Sequence, residues 1–154
     1  PYAAELLPHL FEDPTCAVLT IAAERTFWEK ATILHQEAHR ESVMPQRHSR
    51  HYYDLYKLAL SPIRQKALAE LELLAEVVQF KQRFYRSQWA RYDLARPQTF
   101  RLLPSSDAHR DALQLDYEEM RVMLFSEAPE FPTILRELEE LEAEINSLPI
   151  AEAG

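Results

Sequence analysis

Residues 25–35 read RTFWEKATILH, and the longer stretch from Glu24 to Arg40 places its apolar residues along one helical stripe. The members of that stripe step by four, three and four positions and are Phe27, Ala31, Leu34 and Ala38. Because an α-helix turns once in about 3.6 residues, this spacing predicts an amphipathic helix packed on a core. Lys30 lies about one-sixth of a turn from the stripe. We therefore expect Lys30 at the flank of the helix, neither in the deep core nor in open solvent.

A second informative stretch, RHSRHYYDL, occupies residues 47–55. The pattern predicts a helix from Arg50 to Leu60 that carries Arg50, Asp54 and Lys57 on one face. A charged residue set among aromatic and aliphatic ones is costly unless it has a partner or a chemical task. Lys30 and Asp54 are therefore candidate site residues. The ordinary explanation is a partly buried ion pair or two unrelated surface charges.

The remaining pattern predicts three more helical regions and one irregular one. Ser61-Pro62 opens a long helix to about Tyr85, and Ser105-Ser106-Asp107 caps another. Residues 87–103 show no sustained period, which indicates an extended arm around the helices. A last helix follows Pro132, with Ile134, Leu138, Leu141, Ile145 and Leu148 on its stripe.

Residues 16–22, CAVLTIA, form the only strand-like run. A lone strand cannot satisfy the hydrogen-bonding groups of its own backbone. It must therefore pair with a sheet that these residues do not supply, or with a second copy in a dimer. The predicted fold is mainly α, a bundle of five or six helices with one short strand.

Composition excludes several classes of enzyme. The chain has 154 residues, which suits one folded unit, and its single glycine is Gly154. P-loops, dinucleotide-binding turns and nucleophile elbows all need interior glycine. No Asp-x-Asp or Asp-x-Glu pair lies on a strand-like run to hold a metal against phosphate. As it stands, the chain lacks complete phosphate-transfer machinery.

The single cysteine, Cys16, excludes an internal disulfide and is most simply a small buried hydrophobe. No apolar run approaches the roughly 20 residues that span a bilayer. We expect a cytoplasmic protein without a membrane segment. The chain starts at Pro1 without a leader, so we expect a cut or processed end and treat the chain as a fragment.

Charge is distributed unevenly around a net value of −8. Residues 81–110, which we call the basic island, hold 7 Lys and Arg against 2 Asp and Glu. Cations alternate there with aromatic rings, a mixture that suits a nucleic-acid surface. The predicted RNA-binding residues are Lys81, Arg83, Arg86, Arg91, Arg96 and Arg101. The alternative is that the rings, Phe84, Tyr85, Trp89, Tyr92 and Phe100, are core and the arginines merely solvated.

Two other charged patterns have simple explanations. His35 and His39 share a helix face, but Glu37 points nearly opposite, so the arrangement does not indicate a hydrolytic zinc site and we predict no metal site. The acidic run from Glu137 to Glu144 is most simply a solvated helix face. It is alternatively a surface that shields or mimics RNA, or docks a basic partner.

Taken together, residues 25–35 and 47–55 resemble the third and fourth motifs of the AbiEii/AbiGii family of nucleotidyltransferase toxins. The run LELLAEVVQFKQRFYRSQWAR at 71–91 and the run LDYEEMRVMLFSEAPEF at 115–131 resemble the helical C-terminal part of that family, so the likeness spans about Arg25 to Asn146. The resemblance implies that Lys30 contacts a nucleoside triphosphate and that Asp54 completes the active site. By a weaker match to the family, Arg47 and Arg50 would be phosphate ligands. The family's first two motifs, a Gly/Ser turn and an Asp-x-Asp pair that binds magnesium, have no counterpart here and are expected upstream of Pro1.

The resemblance also implies a function for the intact protein. Residues 1–23 would be the remnant of a nucleotidyltransferase core, whose sheet the strand would join, and residues 24–154 the C-terminal helical domain. The intact enzyme would use NTP and Mg²⁺ to add nucleotides to an RNA, with tRNA the expected acceptor and an antitoxin the expected protein partner. The fragment alone would bind neither cofactor and be inactive. The alternative is a non-catalytic helical module that binds RNA or protein.

Overall fold

The computed structural model describes residues 22–124 and 127–150. Six α-helices lie in these two ranges: α1 (Ala23–Ala38), α2 (Ser49–Ala59), α3 (Ile63–Leu68), α4 (Leu71–Phe84), α5 (Asp107–Arg121) and α6 (Phe131–Ser147). Two short 3-10 turns, Gln88–Ala90 and Tyr92–Leu94, lie between α4 and α5. The prediction of a mainly α fold is confirmed. The predicted strand at 16–22, except Ala22, and nearly all of the predicted remnant at 1–23 lie outside the described residues.

Helix α1 lies at the centre of the bundle, in contact with α2, α3 and α4. All four residues of its predicted stripe are buried, and Trp28 beside them is fully buried as well. The indole Nε1 of Trp28 donates a hydrogen bond to the carbonyl oxygen of Ala67 in α3 at 3.1 Å. A buried tryptophan adds a large apolar contact and needs a partner for its one donor, so this bond locates α3 against α1.

The predicted long helix from Ser61 to Tyr85 is wrong in one respect, because it is broken between α3 and α4. The Ala67 carbonyl accepts the Glu70 amide at 2.9 Å in a tight turn, in addition to the Trp28 indole. Glu70 itself has φ −114° and ψ 61°, outside the helical region. No glycine or proline marks this break, so the sequence carries no stop signal for it. The buried residues of α4 are Leu74, Val77 and Lys81.

The expected irregular arm at residues 87–103 is present and begins at Tyr85, directly after α4. We call residues 85–103 the arm. His35 of α1 anchors the arm at two points, since its Nε2 lies 2.9 Å from the Arg91 carbonyl oxygen and its Nδ1 lies 3.1 Å from the Arg101 amide nitrogen. This pattern requires the neutral imidazole that donates from Nε2 and accepts at Nδ1. Arg91 adopts a left-handed backbone conformation with φ 48°, which turns the arm between the two 3-10 segments.

Helix α6 closes the bundle with four fully buried residues of its predicted stripe, Ile134, Leu138, Leu141 and Ile145. Its polar side chains bind the arm. The Asn146 side chain bonds both the amide and the carbonyl of Phe100, each at 2.9 Å, and Glu142 accepts the Leu102 amide at 2.6 Å. These bonds serve arm backbone groups that lie outside helical ladders.

The acidic helix is only partly a solvated face. Arg64 of α3 donates to Glu137 at 2.5 Å and to Glu144 at 2.7 Å, and its side chain is mostly buried. Glu139 and Glu140 are exposed. The acidic run therefore divides into residues that hold the bundle together and residues that face solvent. Among the described helices, none is both long enough and apolar enough to cross a membrane.

The first testable prediction concerns acid stability. Burial lowers the pKa of His35 from 6.5 to about 4. The imidazole is neutral in both states above pH 6.5. As the pH falls below 6.5 the unfolded chain takes up this proton while the folded chain does not. Unfolding should therefore become easier by about 2 kcal/mol between pH 7.5 and pH 5 through this group.

Urea unfolding at pH 7.5 and pH 5 checks this dependence. The wild type should be less stable at pH 5 than at pH 7.5, and His35→Gln should lose the part of this difference that the His35 proton causes. The variant should also be less stable than the wild type at pH 7.5. His39→Gln, a partly exposed neighbour on the same helix, is the control and should keep the wild-type slope. An unchanged slope in His35→Gln would contradict the assignment.

Candidate functional site

Lys30 and Asp54 form an ion pair between α1 and α2. The Lys30 Nζ donates to Asp54 Oδ2 at 2.9 Å, and the two side chains are 24% and 29% exposed. Lys30 thus occupies the flank position that its helical phase predicts. The residues lie 24 positions apart in the chain, so the packing of α2 on α1 is what joins them. Asp54 pairs with Lys30 rather than with Lys57, its exposed neighbour on α2.

His51 is a second partner of Lys30. The Lys30 Nζ lies 3.3 Å from His51 Nδ1. Burial and the Lys30 charge lower the pKa of His51, so the ring is neutral and its Nδ1 can accept. An ammonium group has three N–H donors, and these two contacts engage two of them. Among residues 22–124 and 127–150, the third N–H donor of Lys30 has no hydrogen-bond partner.

Arg47 and Arg50 lie beside this pair at the start of α2. The Arg50 Nε is 4.0 Å from Asp54 Oδ2, and its side chain is 74% exposed, so the attraction is weak. Both arginines line a groove of about 540 Å³ between α2 and α5. Tyr53, Asp54, Asp116, Glu119, Met120, Met123 and Leu124 complete the lining. The predicted phosphate ligands therefore face a concave surface next to the Lys30–Asp54 pair.

Asp116 of α5 positions the start of α2. One carboxylate oxygen accepts the Arg47 amide at 2.6 Å, and the other accepts the Ser49 amide at 3.0 Å and the Ser49 hydroxyl. Burial works to raise the pKa of Asp116, but the bonds from Ser49 and from the Arg47 amide outweigh it and lower the pKa. Arg47 has a left-handed backbone with φ 63°, an uncommon conformation that this tertiary cap holds.

Glu37 is a buried anion that joins the end of α1 to the start of α2. Only 1% of its side chain is exposed, and it accepts from Arg40 Nε at 2.5 Å and Arg40 Nη2 at 2.9 Å. His48 Nδ1 lies 3.5 Å away, an electrostatic contact rather than a good hydrogen bond. Burial works to raise the pKa of Glu37, yet Arg40 and His48 lower it to about 2.

Neither Asp116 nor Glu37 was among the predicted site residues. Asp116 acts across 67 positions of the chain, so nothing local in the sequence signals its role. One sequence feature indicates a role for Glu37, namely that its charge lies close to the apolar stripe of α1. Because Glu37 also lies between His35 and His39, the sequence draws attention to a possible zinc motif instead.

Lys81 occupies a different place from the other predicted RNA-binding residues. It is buried, and its Nζ donates to the Glu29 carbonyl oxygen at 3.1 Å. Burial lowers the pKa of Lys81 to about 8, with the Lys30 charge acting in the same direction. Lys81 therefore supports α1 near the candidate site and does not belong to the outer basic surface.

The other residues of the basic island divide between surface and core. The five predicted arginines, Arg83, Arg86, Arg91, Arg96 and Arg101, are exposed, as are the rings of Phe84, Tyr85 and Trp89. Tyr92 and Phe100 are buried. The basic island therefore has its arginines and three rings on the surface and two rings in the core. The guanidinium of Arg83 lies over the Phe84 ring at 5.5 Å, and Arg91 pairs with Asp93.

The predicted histidine pair is used in hydrogen bonds to backbone. His35 contacts the arm, and His39 Nδ1 lies 2.8 Å from the His35 carbonyl oxygen. In the part of the chain that the structure describes, no three His, Cys, Asp or Glu side chains come together as a metal-binding group.

Comparison with known proteins places this chain in a family. A family model described as nucleotidyl transferase AbiEii toxin, type IV toxin–antitoxin system, matches residues 1–140. The match covers most of the chain, so the chain belongs to this family, and the resemblance seen in the sequence is confirmed. It extends further towards the start than expected and ends before Asn146. No curated protein and no solved structure matches the chain.

The second testable prediction concerns Asp116. Asp116→Ala removes the cap of α2 and should lower the free energy of unfolding by about 1 to 2 kcal/mol, the usual cost of losing a capping side chain. It should also loosen Arg47. Thermal and urea unfolding measure the first effect, and amide hydrogen exchange at residues 47–50 measures the second.

Glu119→Ala is the matched control, since Glu119 is an exposed carboxylate on the same helix and lines the same groove. It should leave both measurements near the wild-type values. Equal stability of Asp116→Ala and the wild type would show that the cap contributes nothing.

Proposed function

We propose that this member of the AbiEii family supplies the triphosphate-binding lysine and a late active-site aspartate of a nucleotidyltransferase that adds nucleotides from NTP to RNA, with tRNA as the acceptor. The observation that carries the proposal is the Lys30–Asp54 pair, held at 2.9 Å beside a groove that Arg47 and Arg50 line. Family membership supports the toxin role and the transferase class.

The chemistry follows from the positions of these groups. Lys30 offers its remaining donor and its charge to a β or γ oxygen of the triphosphate, and Arg47 or Arg50 adds a second cation. A hydroxyl of the RNA attacks the α-phosphorus, a new phosphorus–oxygen bond forms, and pyrophosphate leaves. Asp54 orients the attacking hydroxyl or accepts its proton. His51 remains neutral and keeps the ammonium of Lys30 in place.

The residues present fit the triphosphate better than they fit magnesium. Lys30, Arg47 and Arg50 are cations. Of the three carboxylates beside them, Asp54 is paired with Lys30 and Asp116 is held by the Arg47 and Ser49 amides, which leaves Glu119. When bound, Mg²⁺ would neutralise charge on the phosphates. The chain carries no Asp-x-Asp or Asp-x-Glu pair on a strand-like run, so we assign no magnesium ligand within it and expect no transfer by these 154 residues alone.

The exposed arginines of the basic island are the proposed contacts to the RNA backbone. Five arginines, Arg83, Arg86, Arg91, Arg96 and Arg101, project from the end of α4 and from the arm, and three exposed rings accompany them. Phosphate contacts by arginine add affinity without reading sequence, and exposed rings stack on unpaired bases. We further propose that the protein acts in the cytoplasm and has a cognate antitoxin. A dimer through residues 16–22 stays a prediction.

The third prediction tests the proposed role of Lys30 in catalysis. In the intact protein, Lys30→Ala should reduce transfer of labelled nucleotide to RNA by about a hundredfold or more, because it removes a charge aimed at the triphosphate. Lys57→Ala, an exposed lysine on α2, is the control and should keep full activity. Circular dichroism and thermal melting establish that both variants fold.

Transfer retained by folded Lys30→Ala would overturn the catalytic proposal. RNA binding that depends on salt, in a wild-type protein that binds no nucleotide, would instead favour the non-catalytic helical module.

The fourth prediction tests the RNA surface. Arg83→Ala combined with Arg86→Ala should weaken RNA binding and reduce the slope of log K against log salt by about 1 to 2, since two phosphate contacts are removed. Lys57→Ala combined with Lys66→Ala removes two exposed lysines elsewhere and should change neither quantity. Equal effects of the two double variants would mean that net charge alone governs binding.

A further inference from the structure

We propose that the groove between α2 and α5 binds one nucleotide unit, with its base against Tyr53, Met120 and Met123 and its phosphate against Arg47 and Arg50. The proposal rests on the function proposed above and adds to it the place where a base and sugar lie. The groove is next to the Lys30–Asp54 pair because Asp54 belongs to both.

The size of the groove suits a small ligand. Its volume of about 540 Å³ falls in the range of roughly 300 to 1,000 Å³ that is usual for small-molecule sites. It lies between two helices whose relative position is set by the Asp116 cap, so its shape is largely formed before a ligand arrives. A nucleoside phosphate needs a concave surface of this kind.

The two walls of the groove differ in chemistry. The α2 wall carries Arg47 and Arg50 near the Lys30–Asp54 pair, and the α5 wall ends in the apolar residues Met120, Met123 and Leu124. Nucleotides have the same asymmetry, with an anionic phosphate at one end and a flat base with apolar faces at the other. Aromatic rings stack on bases, and the flexible thioether of methionine adapts to their faces.

Charge within the groove is divided between a cationic part and an anionic part. Of the three carboxylates in the lining, Asp54 is paired with Lys30, and Asp116 is held by the amides of Arg47 and Ser49. The exposed Arg47 and Arg50 offer guanidinium donors to a phosphate, and the exposed Glu119 carboxylate of α5 offers an acceptor to a base amino group.

Exposure of apolar side chains points in the same direction. Two of the lining residues are open to water, since Met123 is 78% exposed and Met120 is only partly buried. A ligand with an apolar face would remove this surface from water. Two sources have the required chemistry: the NTP itself, and the terminal nucleotide of the acceptor RNA.

The test is a binding titration with the complete 154-residue chain, which this proposal expects to bind a nucleotide although the sequence alone predicted that it would bind none. The probes are a nucleoside monophosphate, the matching NTP, inorganic triphosphate, and a short single-stranded RNA. The double variant Met120→Ala and Met123→Ala should bind the monophosphate about tenfold more weakly, because the apolar wall is lost. Inorganic triphosphate, which has no base, should bind it as it binds the wild type.

A matched control comes from the outer side of the same helix region. Leu115 and Val122 are 65% and 86% exposed and do not line the groove, so Leu115→Ala combined with Val122→Ala should leave all four affinities unchanged. Thermal melting of both double variants shows whether a loss of binding reflects a loss of fold.

The outcomes separate this proposal from the proposed function. The groove proposal would be overturned if the methionine variant bound the monophosphate as tightly as the wild type does. It would also be overturned if the wild type bound no monophosphate at millimolar concentration. Lys30→Ala should weaken inorganic triphosphate and NTP but not the monophosphate. Suppose that Lys30→Ala weakens binding of neither inorganic triphosphate nor NTP, while the methionine variant still loses binding of the monophosphate. The proposed role of Lys30 in triphosphate binding then fails, and the groove proposal stands.

The two sources are distinguished by the same variants. If the methionine variant loses NTP affinity and keeps RNA affinity, the groove holds the base of the incoming nucleotide. If it loses RNA affinity and keeps NTP affinity, the groove holds the RNA end. Either result supports a nucleotide unit in the groove.

Discussion

The burial of α1 is the constraint on which the rest of the structure depends. Phe27, Trp28, Ala31 and Leu34 are completely covered, and polar residues of the same helix are covered with them. A buried polar group without a partner costs about 1 to 3 kcal/mol, and a buried charge costs more. Every polar side chain drawn into the bundle by α1 therefore needs a partner. Thr32 finds its partners within α1, and the other partners lie on other segments and determine where those segments lie.

Three of these partnerships build the molecule around α1. His35 binds the Arg91 carbonyl and the Arg101 amide, so it fixes the arm. Glu37 binds Arg40 and approaches His48, so it fixes the start of α2. Lys30 binds Asp54 and His51 one to two turns further along α2. The ion pair that we propose for catalysis thus belongs to the same set of contacts that orders the fold, and its geometry is held from both helices.

The arm shows how helices can hold irregular backbone in place. Phe100 and Leu102 have amides that would otherwise lack helical partners, and Asn146 and Glu142 of α6 supply them. With its backbone held inward and Phe100 buried, the arm carries Arg96 and Arg101 on its outer side. A basic exterior over an acidic helix is therefore a consequence of the way in which the arm is attached.

The sequence by itself determined the local structure, since apolar spacing and caps act within a few residues. The stripes of α1 and α6, the Ser106 cap of α5, the irregular arm and the flank position of Lys30 were all predictable in this way, and the family of the chain followed from the resemblance of its motifs. Tertiary structure alone decided the break after Ala69, the burial of Lys81, the cap from Asp116, and the meeting of Lys30 with Asp54 and His51. These features join positions 21 to 69 residues apart, and at the break the Ala67 carbonyl is bound by a tryptophan on another helix. No local period encodes them, because they arise only when the helices pack and each buried polar group must find its partner.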